Sequence, residues 1–255
     1  MTISPVALVL ALLAQQPASV YDVEKERALG QELASEIRRS SPPLGNKAVE
    51  QYANRIGADL VTHLGETAVG YSFEVVVSSD AVEPMSLPGG LVLVPARFFL
   101  AAEDEAEFAG MIAHSIAHVV LHRGLRTVSN VASIPLVFAD CHVDSQRPSP
   151  LTPVAFLKDQ RARELEADRF ALGLLARAGY DATALRGYVE RAQAPDRDKS
   201  PLPPRELRLA RMDEILQSLP KASRPSTGDF RAIQAAVRAT TDRPKDDRPP
   251  TLRRK

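Results

Sequence analysis

The apolar positions of this chain change period along its length, and each change marks a different kind of element. Between Val23 and Arg39, Leu29, Leu33 and Ile37 recur at four-residue steps, the stripe of an amphipathic helix that Pro42 and Pro43 end. A second helix is predicted after Asn46, a residue type that caps orphan N–H groups, with Val49, Tyr52, Ala53, Ile56 and Leu60 on its buried face. The period then drops to two. Tyr71, Phe73, Val75 and Val77 alternate with polar neighbours and predict a strand. Leu87-Pro-Gly-Gly90 reads as a turn, and Leu91 to Val94 as a short apolar strand bounded by Pro95. Together these predict a small antiparallel sheet with one exposed edge.

Helical spacing returns from Glu103 to Arg123, with acidic residues in the first turns, where the helix dipole favours them, and Gly124 as the stop. The Pro-containing stretch from Leu125 to Pro153 has no period and is long enough to form a lid or plug over a site. A long helix is predicted from Ala155 to Ala178, ended by Gly179. Asp181 caps the next, to Arg191, and Pro204 starts another, to Leu216. Thr227 or Asp229 starts a last one, to Ala239, and the charged, Pro-rich tail 241–255 is predicted to be disordered. Helices, a small sheet and more helices make one α-rich α+β domain, residues 19–240.

Composition narrows the function classes. A chain of 255 residues with 44% apolar content can bury one well-packed core. Zero net charge, no tryptophan and 5% aromatic residues argue against nucleic acid as a partner. The apolar run Val6 to Ala14 falls short of the about 20 residues a membrane-spanning helix needs. It fits the core of a signal peptide over residues 1–18, with small residues before a cut after Ala18, although no Lys or Arg precedes it. The expectation is an exported chain, periplasmic or otherwise extracytoplasmic, with no transmembrane span after cleavage. Cys141 is the only cysteine, so no internal disulfide forms; with His142 and Asp144 beside it in Pro- and Ser-rich sequence, it reads as a free thiol.

The chemistry lies in two short segments, His114-Ser-Ile-Ala-His118 and Glu164-Leu-Glu-Ala-Asp168. Residues four apart on a helix stack about 6 Å apart along the axis, so both imidazoles can address one ion. Glu164 can add a carboxylate from a second helix and leave a fourth position for water, the pattern of a catalytic zinc site. Asp168, one turn on, can accept the remaining N–H of a ligand histidine and fix its tautomer. His122 extends the stripe towards Gly124 and reads as a cap of the helix end, and His63 as a surface or cap residue. Separately each pair has a bland reading as helix surface; jointly, in apolar surroundings, they predict one zinc ion per chain.

Asp104-Glu-Ala-Glu-Phe-Ala-Gly-Met-Ile-Ala-His-Ser-Ile-Ala-His-Val-Val resembles the zinc helix of the HtpX-, BepA- and Oma-like metallopeptidases, family forty-eight of the metallopeptidases. Glu164-Leu-Glu-Ala-Asp168 is similar to the third-ligand motif of that family. Glu26-Arg-Ala-Leu-Gly-Gln-Glu, Val49 to Gly57 and Ala178-Gly-Tyr-Asp181 resemble its exported, BepA-like branch. The likeness runs from Tyr21 to Ala239. It implies a zincin-like (gluzincin) domain with two metal-ligand helices, His114, His118 and Glu164 as zinc ligands, and Asp168 behind them. It also implies that the segment from Val82 to Gly90 leads into a substrate edge at Gly89, Gly90, Leu91 and Val92, where an extended polypeptide adds as a strand. The implied reaction is peptide-bond hydrolysis in misfolded or unassembled envelope proteins, a quality-control role.

Two departures bear on that reaction. The family has a Glu after the first His to take a proton from water; here Ser115 stands there, and loss of a general base costs about 10²–10⁴-fold. Where the family often has a His before a Pro, ahead of an Arg-containing helix, Leu202-Pro-Pro-Arg205 stands here. Neither Glu107, about 10 Å along the axis from His114, nor Glu166, turned about 200° from Glu164, suits the missing base. The sequence therefore predicts a zinc-binding peptidase framework that binds unfolded envelope chains with weak or lost hydrolysis, a pseudoenzyme. An active zinc endopeptidase using another base and a metal-free interaction scaffold stay open beside it.

Overall fold

The computed structural model describes residues 20–65, 67, 69–78, 82–125, 154–194, 200, 202–221 and 224–242. The leader expected at 1–18, Cys141, His142, Asp144, the stretch from 126 to 153, the tail beyond 242 and the side chain of His122 lie outside them. In chain order the elements are α1 (Val20–Ser40), α2 (Lys47–Thr62), β1 (Ser72–Val76), β2 (Met85–Ser86), a 3-10 turn (Pro88–Gly90) and β3 (Leu91–Pro95). The rest is helical: α3 (Ala96–Ala101), α4 (Glu105–Leu125), α5 (Val154–Ala178), α6 (Thr183–Ala192), α7 (Arg205–Leu216) and α8 (Phe230–Thr241). Asn46 caps α2 as its residue type predicts, its side-chain oxygen accepting from the N–H groups of Ala48 and Val49.

The expected α-rich α+β architecture is present, and the sheet differs from the expectation in direction. It is mixed, in the order β1-β3-β2: β1 pairs with β3 in parallel, from Ser72↔Leu91 to Val76↔Pro95. Strand β2 pairs antiparallel, Met85↔Leu93 and Ser86↔Val92. The physical reason is the connection between β1 and β3. It is long enough to lay down β2 first, and the tight Pro88–Gly90 turn folds β2 back on β3 as a hairpin. The chain thus enters β3 in the direction of β1. Alternation along a strand reports which faces are buried and says nothing about its direction.

Strand β3 is the middle strand, which explains its unbroken apolar run: both of its faces are covered. Leu91 and Leu93 pack with Ala34, Val76, Met85 and Leu87 under α1. Val92 and Val94 face the opposite way, into the main core with Phe73, Val75, Ile56, Phe108 and Ile112. That core is centred on aromatic contacts, with the Phe108 ring centroid 4.5 Å from that of Phe99 and 5.1 Å from that of Phe98. Among the described residues no helix is long and apolar enough to cross a membrane.

Helix α1 crosses the Pro88–Gly90 turn at backbone distance, and two glycines permit it. A Cβ on Gly30 would stand 2.0 Å from the Pro88 carbonyl oxygen, and one on Gly89, whose φ is 77°, would stand 2.5 Å from Arg27 Cα. Neither obstacle is a flexible side chain that could turn away. Gly30→Ala is therefore expected to push α1 off the turn and destabilise the fold by about 1–3 kcal/mol, read as a lower urea midpoint at an unchanged slope.

Candidate metal centre

Helix α4 is fixed at its start before it presents any chemistry. Asp104 Oδ1 accepts the N–H of Glu107 at 2.8 Å, and Glu107 Oε2 accepts that of Glu103 at 2.7 Å, a nearly reciprocal cap. Arg191 then grips both oxygens of Glu107, each at 2.7 Å. Glu105 accepts from the hydroxyls of Tyr52, at 2.8 Å, and Thr227, at 2.5 Å. One turn further on the helix is buried all round, with Met111, Ile112, Ala113, Ile116, Ala117 and Val119 in the interior. The imidazoles of His114 and His118 thus sit on a backbone with little freedom.

The two helices bring the expected donors together. His114 Nε2 lies 3.3 Å from Glu164 Oε2, His118 Nε2 lies 3.4 Å from Glu164 Oε1, and the two Nε2 atoms are 2.9 Å apart. One donor atom from each of the three residues falls within a 4.8 Å cluster. Bonds of 2.0–2.1 Å to a tetrahedral zinc ion put neighbouring donors about 3.3 Å apart, so these residues fit the metal. The set is two histidines and one carboxylate, the kind that leaves a coordination position for water or substrate.

Behind the donors is a buried pair that the sequence reading missed. Asp168 Oδ1 is 3.0 Å from His114 Nδ1, an ion-pair contact when the ring is protonated. The same carboxylate accepts two bonds from Arg208, at 2.6 and 2.8 Å, and both side chains are buried. Arg208 Nη1 also reaches Gln193 Oε1 at 3.1 Å. A sequence signal existed: Arg208 lies on α7, the Arg-containing helix after Leu202-Pro-Pro-Arg205, one turn beyond Arg205.

These contacts set the electrostatics. Burial pushes the His114 imidazole towards its neutral form, but the hydrogen bonds to Asp168 and Glu164 and the charges of those carboxylates outweigh it, and its pKa is pushed up to about 9. Burial works to raise Glu164 as well, yet the charge of His118 and the hydrogen bond to His114 hold it below the usual carboxylate range. Asp168 is likewise held low, against burial, by the charge and hydrogen bonds of Arg208.

The position of the missing base is well defined. Ser115 is buried, and its hydroxyl donates back to the Met111 carbonyl at 3.0 Å, spent within its own helix. Glu107 is held by Arg191, and Glu166 is exposed. The sequence reading passed over Glu83, the one carboxylate in the segment from Val82 to Gly90. It lies in the charge field of Arg208, His114, Glu164 and Asp168.

The expected substrate edge also needs correction. Gly89 and Gly90 are in the 3-10 turn, and Leu91 and Val92 are in the central strand, paired on both sides, so none of the four forms a free edge. The edge beside α4 is β2: Ser86 Oγ donates to the Ser115 carbonyl at 2.7 Å. The position of the sheet edge depends on strand order, which a run of apolar residues does not encode. His63 is the C-cap residue of α2, far from these groups in role, its carbonyl accepting from Arg177 Nε at 3.2 Å.

Residues 47–225 match peptidase family M48. The beta-barrel assembly-enhancing protease of Escherichia coli (strain K12) is 26% identical over 188 residues, which cover 68% of this chain and 38% of that protein. The protein of the same name from Yersinia pestis is 24% identical over a stretch with the same coverage. The matched part of the chain thus spans about two fifths of the length of these relatives.

Two outcomes follow from the site. With its pKa near 9, His114 carries a proton at neutral pH that a metal must displace. Zinc affinity should therefore rise about tenfold per pH unit up to about pH 9, with close to one proton released per ion at pH 7. Calorimetry in two buffers of different ionisation enthalpy measures that proton. Arg208→Met leaves Asp168 buried without its countercharge and should cost about 3–5 kcal/mol in urea unfolding.

Proposed function

The chain belongs to peptidase family M48, and from that premise we propose that it is an exported zinc-binding protein of this peptidase fold. In this reading it captures extended segments of unfolded or misassembled envelope proteins and hydrolyses them slowly, if at all. The observation that carries the reading is the cluster of buried His114 and His118 with half-buried Glu164, whose donors are spaced close to tetrahedral zinc ligands. The relatives' role in beta-barrel assembly supports envelope proteins as the class of client, and the apolar run from Val6 to Ala14 supports export.

Zinc, when bound, polarises a scissile carbonyl and acidifies a water molecule to a pKa of about 7. The protein's own residues supply the rest. Asp168 orients the His114 ring and is itself neutralised by Arg208, so the ligand geometry is set before any substrate arrives. The β2 edge offers backbone groups to an extended chain, and such strand addition needs no catalytic base. Ser115, with no basicity near neutral pH and its hydroxyl donated to Met111, takes no proton.

The test pairs metal content with turnover. The purified chain should bind one zinc per molecule, and His114→Ala should lose it. Cleavage of an unfolded casein substrate should be slow and abolished by a chelator, and Ser115→Glu should raise it at least about tenfold, towards the 10²–10⁴ that a positioned base contributes. Zinc-loaded Ser115→Glu protein that cuts no faster than the natural chain would refute the assignment of the serine as the main defect.

A further inference from the structure

Resting on the zinc-binding reading above, we propose that Gln193, at the end of α6, is a positioning residue for the metal centre. It sets the orientation of the His114 ring from a distance, through Arg208 and Asp168. An unbroken line of polar contacts runs outward from the ligand. His114 Nδ1 stands 3.0 Å from Asp168 Oδ1, and that same oxygen accepts from Arg208 Nη2 at 2.8 Å. Arg208 Nε completes the fork on Oδ2 at 2.6 Å, which leaves Nη1 to donate to Gln193 Oε1 at 3.1 Å. The line ends on backbone, where Gln193 Nε2 donates to the Pro203 carbonyl at 2.8 Å.

What the line transmits is the orientation of planes. The Asp168 carboxylate turns about its Cβ–Cγ bond, a torsion with only broad preferences, and its angle decides where Oδ1 stands against the imidazole. Arg208 fixes that angle, because a guanidinium meets a carboxylate fork to fork. A fork alone leaves the two groups free to rock together, since Arg208 reaches across from α7 on a long side chain. Gln193 supplies the third point, outside the fork. Arg208 is buried, so without Gln193 its Nη1 would have to turn towards another acceptor and take the fork with it.

Gln193 suits this role chemically. A guanidinium only donates and a proline carbonyl only accepts, so the amide forms both bonds in one orientation and loses both when turned over. Its supports are backbone on either side. The Gln193 N–H closes α6 on the Val189 carbonyl at 3.0 Å. The segment that carries Pro203 is held to the second ligand helix, where Arg161, one turn before Glu164, donates from Nε to the Ser200 carbonyl at 3.0 Å.

The experiment compares the natural full chain with Gln193→Met, which keeps the length and loses both bonds. Gln193→Asn keeps the amide on a side chain one methylene shorter than the span. Gln234→Met is the control for loss of a buttressing glutamine outside the line: on α8, Gln234 Nε2 donates to the Phe99 and Ala102 carbonyls at 2.8 and 2.9 Å. Zinc affinity is measured by competition with a chromophoric chelator, ligand geometry from the visible bands of the cobalt-substituted chain, and stability in urea. Both Gln193 variants should bind zinc about 3–10-fold more weakly, less than the about 10–100-fold typical of groups that touch a ligand directly, and should shift the cobalt bands. Gln234→Met should lower the urea midpoint and leave both metal readouts unchanged. Gln193 variants that lose only stability, with the zinc affinity and cobalt bands of the natural chain, would overturn the proposal and leave the metal site standing. A natural chain that binds neither ion would sink the zinc reading and this proposal with it.

Discussion

The constraint on which the site depends is the buried Asp168 carboxylate. It has given up its water, and two partners replace that hydration: Arg208 through two hydrogen bonds, and His114 through Nδ1. These contacts link α5, which carries Asp168 and Glu164, to α7 and to α4. Displacement of any one helix would leave a buried charge without compensation. The metal donors therefore inherit their spacing from a charge network as much as from apolar packing.

The sheet contributes through its order. Its middle strand is buried on both faces, Leu91 and Leu93 towards α1, Val92 and Val94 towards α2 and α4, so it anchors the layer and has no free backbone edge. Strand β2 remains at the side nearest α4 and is pinned there by Ser86. The Pro88–Gly90 turn connects the two under α1 at backbone contact, so the N-terminal helix bears on the position of the edge as well as on stability.

Much of this was legible in the sequence because helical chemistry is local. Four-residue spacing put His114 over His118 and Glu164 over Asp168, and the apolar neighbours of each pair signalled a rigid support. The cap at Asn46 was equally local. What the sequence did not carry was relational. The direction of β1, the central place of Leu91–Pro95 and the edge character of Met85–Ser86 all depend on strand order, and a two-residue strand leaves no periodic signal. Arg208 looked like any helix arginine until Asp168 was seen across from it. Glu83, in a loop next to Pro84, carried no pattern at all.

Exchange of the base for a hydroxyl leaves the rest of the framework in place. A carboxylate at position 115 would be held by the same buried helix as the ligands, within the tolerance that proton transfer requires. Ser115 is held there just as firmly, but its hydroxyl is donated to the Met111 carbonyl, and its own carbonyl accepts from Ser86. This turn of α4 therefore joins the ligand helix to the β2 edge. Strand addition at such an edge draws on backbone groups, which the exchange does not touch. The donor cluster, the charge pair behind it and the edge are thus separable from the proton acceptor, and a framework that keeps the first three can hold an extended chain without a base to cut it.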